Sequence, residues 1–110
     1  MRWRGCWDEC EIPMRIIARR TLREFWQIHP DAEQPLKAWF AEATKAQWQS
    51  PNDIKQTYRN ASIVGNNRVV FNIKGNDYRL ILHVRYDIGI LFIRFIGTHR
   101  EYDQVDATTI

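Results

Sequence analysis

Val69-Val70-Phe71-Asn72-Ile73-Lys74-Gly75-Asn76-Asp77-Tyr78-Arg79-Leu80, and further on Phe92-Ile93-Arg94-Phe95-Ile96-Gly97-Thr98-His99-Arg100-Glu101-Tyr102-Asp103, decide the fold. The period in both stretches is two. Val69, Phe71 and Ile73 alternate with Val70, Asn72 and Lys74, and Tyr78, Leu80, Leu82, Val84 and Tyr86 alternate with Arg79, Ile81, His83 and Arg85. That alternation predicts half-buried strands. Asn76-Asp77 suits a two-residue hairpin turn with Gly75 easing the backbone, and Asp87-Ile88-Gly89 turns the next hairpin into a strand over Ile90–Ile96. Thr98 is then placed to cap a short helix ending at Tyr102.

Upstream the period changes. Leu22, Phe25, Trp26 and His29 follow helical spacing behind a capping box at Thr21 and Glu24, and Pro30 stops the run. Asp31 and Gln34 are the matching pair for a second helix, whose apolar stripe is Leu36, Trp39, Phe40 and Ala43. A short strand over Met14–Ala18 precedes the helices, and one helical turn is expected near Asp53–Thr57. The fold class is α+β: a short N-terminal strand and a helical hairpin packed on an antiparallel sheet, with a short C-terminal helix.

At 110 residues the chain reads as one domain of ordinary folded composition, with no apolar run long enough for a membrane span. Residues 1–13 have no clean period and read as an N-terminal extension, with residues 14–110 as the domain and Met14 as a natural start. Met1-Arg2-Trp3-Arg4 leads into acids and not into a signal peptide, so the cytoplasm is the expected location. Cys6 and Cys10 have no second Cys/His pair nearby to complete a zinc tetrahedron, and are taken as reduced thiols. Asp103 and Asp106 read as capping and solvating residues; no acidic cluster suggests a metal site or a cofactor. The formal charge of +3 is borne by the domain, because the extension is net acidic.

Sheet geometry groups these charges. With turns at Asn76-Asp77 and Ile88-Gly89, Lys74 would face Arg79, Val70 would face His83, and Arg68 would face Arg85. Arg94 would fall opposite His83 and Phe92 opposite Arg85, with Thr98 beside Arg79. Phe71, Ile73, Leu80, Leu82, Val84, Ile93 and Phe95 would then meet the helices, a division that a one-residue slip would reverse. Close cations on one face suit either a polyanion or plain solvation. His99 and Tyr102, three apart, point the same way if helical. They are either a packing pair or the acid–base groups of RNA cleavage, with Arg79 and Arg94 suited to phosphate oxygens.

The patterns at Phe71–Leu80 and Arg94–Asp103 resemble the HigB family of bacterial toxin–antitoxin toxins, and the resemblance extends over Met14–Ile110. It implies a RelE-like, microbial-ribonuclease-like fold and cleavage of mRNA on the ribosome without a cofactor, shutting down translation. It also implies a HigA-type helix-turn-helix antitoxin as partner, with operator DNA bound only through that complex. Carried onto this chain, the site candidates are Lys74, Arg79, Arg94, His99 and Tyr102. Arg19, Arg20, Lys55, Arg59, Arg68 and Arg85 are candidate RNA contacts. Two other readings stand beside the nuclease: a ParE-like topoisomerase poison on the same scaffold, and a non-catalytic RNA-binding module. The latter is disfavoured because most Trp and Phe fall on helical stripes.

Overall fold

A computed structural model describes residues 15–110; the N-terminal extension with Cys6 and Cys10 lies outside them. The sheet has five strands: β1 (Arg15–Ile17), β2 (Ser62–Val64), β3 (Arg68–Ile73), β4 (Tyr78–Arg85) and β5 (Ile90–Thr98). Their order is β1-β5-β4-β3-β2, so β4, richest in alternating Leu, Val and cations, is central. The pairs are antiparallel except β1, which lies parallel to β5.

Helices α1 (Arg19–Ile28), α2 (Glu33–Lys45) and α3 (Pro51–Thr57) belong to the layer packed on the sheet. Leu22 and Leu36 are wholly excluded from water, as are Ile54, Leu80, Leu82 and Val84. Each such side chain contributes about 1.5–3 kcal/mol by leaving solvent. Phe71 organises this interior: Trp39 at 5.6 Å and Tyr58 at 5.1 Å meet its ring edge-on, and Trp48 stacks at 6.0 Å. One β3 side chain thereby anchors α2 and the segment on either side of α3.

Three local expectations are corrected. Helix α1 begins at Arg19, because the Thr21 amide already donates to the Ala18 carbonyl at 3.0 Å; Thr21 lies inside the first turn and caps nothing. Asp31 sits in a 3-10 turn (Pro30–Ala32) ahead of α2, and its carboxylate is taken by the sheet, accepting from the Tyr78 hydroxyl at 2.5 Å. The β3–β4 turn has four residues, Lys74–Asp77, with Lys74 and Gly75 both in the left-handed region.

The longer turn moves the register by two. Arg79 faces Asn72 instead of Lys74, and His83 faces Arg68 instead of Val70. Both changes preserve the face each side chain occupies, because the period is two. Across β4–β5, His83 faces Phe92 and Arg85 faces Ile90. A bulge then intervenes: Leu82 pairs with Ile93 but Ile81 pairs with Phe95, leaving Arg94 as the extra residue. Beyond it, Arg79 faces Gly97 and Tyr78 faces Thr98. The bulge brings Phe95 to the face of Arg79 and Ile81, opposite to expectation, and turns Ile96 to the core.

Candidate active site

The face away from the helices is neither bare nor uniformly charged. Val70 and Ile81 are buried there, with Phe92 and Phe95 half-buried beside Arg68, Asn72, Arg79, His83, Arg85 and Arg94. Phe92 was expected on this face; Phe95, expected among the core residues, joins it there. Sequence periodicity concealed Phe95, since the bulge depends on how two strands pair.

At one end of this face β5 runs directly into helix α4 (His99–Tyr102). The junction is a complete capping box: the Glu101 amide donates to Thr98 Oγ1 at 3.1 Å, and the Thr98 amide donates to Glu101 Oε1 at 2.8 Å. Gly97 lies beside it in close contact. A Cβ there would lie 2.5 Å from Phe95 Cζ and 2.8 Å from Glu101 Oε1, so any larger residue would have to displace the ring and the capping carboxylate. The His99 amide donates to the Asp77 carbonyl at 3.2 Å, tying the start of α4 to the β3–β4 turn.

This scaffold brings three of the candidates together. The Arg79 guanidinium lies over the Tyr102 ring, 5.7 Å from its centroid, and is steadied by donation to the Asn76 carbonyl at 2.9 Å. His99 leads the same helix, with Nδ1 3.4 Å from Asp103 Oδ2; that pairing leaves Nε2 as the outward nitrogen. Arg94 is on the same sheet face, three residues before Gly97, or roughly 10 Å along the strand. Its guanidinium rests over Phe92 at 5.3 Å, in solvent and ready for an anion.

The other candidates are elsewhere or already engaged. Lys74 bridges Asp31 at 2.9 Å and Asp77 at 3.1 Å, which hold its ammonium protonated above the usual lysine range. It latches the hairpin to the helical layer. Arg85 is paired with Asp87 at 3.1 and 3.2 Å. Arg68 donates to the Ile110 carbonyl oxygen at 3.0 and 3.2 Å, as the C-terminal segment folds back to the β2–β3 end. Arg19 covers Phe40 at 5.0 Å and Arg20 pairs with Glu24 at 3.0 Å, both on the helical layer. Lys55 donates to the carbonyls of Arg59 and Ala61 at 2.7 and 2.8 Å, so it braces the α3–β2 loop.

His83 stands in the middle of this face, on β4. Burial first, then the charges of Arg68, Arg94 and Arg85, hold its pKa below the usual 6.5, and its Nδ1 has no partner among the described residues. It is therefore neutral at pH 7 in the middle of a cationic face. No helix among the described residues is long and apolar enough to cross a membrane.

Residues 32–105 match a family model described as HigB toxin, the RelE-like toxic component of a toxin–antitoxin system. The chain belongs to the HigB toxin family. Its matched segment contains the whole Arg79–Arg94–His99–Tyr102 set. Among curated HigB relatives, the chain is 25% identical over 92 residues to the mRNA interferase toxin HigB of Escherichia coli K12, covering 82% of this chain and 88% of the relative. The mRNA interferase HigB proteins of Escherichia coli O157:H7 and Shigella flexneri match to the same extent. The α+β arrangement agrees with the RelE-like description.

Proposed function

We propose that this HigB-family toxin is an mRNA endonuclease that inhibits translation by cutting messages on the ribosome. The observation that carries the reading is the contact of Arg79 with Tyr102, on a helix begun by His99, at the end of a cationic and aromatic sheet face. The mRNA interferase names of the relatives support it.

In this scheme one proton-transfer group removes the proton from a ribose 2′-OH, and the 2′-oxygen attacks the adjacent phosphorus. The bond from phosphorus to the 5′-oxygen breaks, and a second group protonates that oxygen. The products are a 2′,3′-cyclic phosphate and a free 5′-OH. His99 serves in proton transfer and Tyr102 as its acid partner or as a stacking surface, while Arg79 and Arg94 hold the phosphate oxygens. Lys74, committed to two carboxylates, supports the turn that orients Arg79. The chemistry is carried by side chains alone. A HigA-type helix-turn-helix antitoxin would hold the toxin in check in the cytoplasm, and the complex would be the form that meets operator DNA.

A reconstituted translation system tests this. The wild-type chain should cut a message being translated, leaving cyclic-phosphate ends, whereas His99→Ala should leave it whole while melting like wild type. An intact message together with inhibited gyrase supercoiling would replace the nuclease by the topoisomerase-poison reading.

A further inference from the structure

Strand β2 pairs with β3 only as far as Ser62 opposite Val70, so the β3 edge from Phe71 to Ile73 has no neighbouring strand. The loop between α3 and β2 stands off that edge and encloses a pocket of about 310 Å³, lined by Tyr58, Arg59, Asn60, Phe71, Asn72 and Gly75 among others. Two devices hold it open. Lys55 pins the loop from below through the Arg59 and Ala61 carbonyls, at 2.7 and 2.8 Å. Tyr58 is seated edge-on against Phe71 and donates its hydroxyl to Glu42. The cavity is preformed.

Its position is the informative point. Asn72, which lines the pocket, pairs directly across β3–β4 with Arg79, so the pocket lies one strand away from the position whose guanidinium stacks on Tyr102. Among the described residues neither the Asn60 nor the Asn72 side-chain amide is engaged in a hydrogen bond. A carboxamide offers one acceptor and two donors, the complement that base edges require, and single-stranded RNA presents those edges unpaired. The glycine on the rim, Gly75, has no side chain to close the mouth, and Arg59 adds a cation for the backbone of whatever enters.

We propose that this pocket receives one nucleobase of the message, adjoining the scissile phosphate, and that Asn60 and Asn72 read its edge. The inference rests on the nuclease reading and adds to it a specificity site separate from the cutting groups.

The test is the nucleotide profile around cut ends, sequenced from cellular RNA after induction of wild type, Asn60→Leu and Asn72→Leu. Leucine keeps the branched shape of asparagine, at a somewhat larger volume, and removes both donor and acceptor. At one fixed position relative to the cut, the ratio between best and worst nucleotide should fall about tenfold in the variants, other positions keeping theirs. An unchanged profile in both variants, with cutting retained, overturns the proposal. If a folded variant stops cutting, binding of 2′-O-methyl trinucleotides varied at each position decides: lost discrimination at one position supports the pocket, and retained discrimination overturns it. Intact RNA with wild type would instead remove the nuclease reading, a failure distinct from an unchanged profile.

Discussion

Arg79 is the residue on which the site turns, because its side chain touches both the β3–β4 turn and the C-terminal helix. Its planar fork donates to Asn76 and lies over Tyr102, an arrangement that an ammonium on a flexible stem does not reproduce. Arg79→Lys should therefore lower single-turnover cleavage by about a hundredfold although the charge is kept. Asp31 makes a different kind of prediction. The Tyr78 hydroxyl first, and the Lys74 ammonium second, favour its ionised form and hold its pKa below 3.8. A depressed carboxyl contributes stability that is present above its unfolded-chain value and lost as the pH falls through the folded one. Asp31→Asn should thus melt earlier than wild type at pH 7, with the gap closing below pH 3.8. A gap that widened in acid would contradict the assignment. For His83, the same linkage predicts titration below 6.5 by NMR, moving upward when an oligonucleotide phosphate offsets the surrounding arginines.

At the scale of the element, the β5–α4 junction decides whether the site exists. Gly97→Ala drives a methyl into the Phe95 ring and the Glu101 carboxylate, and should cost about 1–3 kcal/mol in denaturant unfolding while impairing cleavage. This junction was legible in the sequence, because a capping box is written within four neighbouring residues, Thr98 to Glu101. The stripes Leu22–Phe25 and Leu36–Trp39–Ala43 were legible for the same reason: helical burial repeats locally. Less local features were not. The turn at Lys74 is longer than its Asn-Asp signal suggests because a lysine adopts a left-handed backbone there, held by Asp31 from far away in sequence. The Arg94 bulge is invisible to a period-two reading, since it exists only in the pairing of β5 with β4. Asp31 looked like a helix cap because its strongest partner, Tyr78, lies on a distant strand.

Over the whole molecule, the two faces of the sheet differ: helices and the main apolar core on one side, cationic side chains interleaved with aromatics on the other. The division predicts how binding responds to salt. Affinity for single-stranded RNA should fall as salt rises, and Arg94→Ala should reduce the log–log slope by about 0.7, the increment for one phosphate contact. Arg20→Ala should leave the slope unchanged, as Arg20 is paired with Glu24 on the helical layer. The central claim is that the basic face and α4 together cut messages. Primer extension on cellular mRNA after brief induction tests it most directly, with a folded His99→Ala, Tyr102→Ala double variant alongside. The account predicts new ends inside translated frames with wild type and none with the variant; arrested growth over intact messages would contradict it.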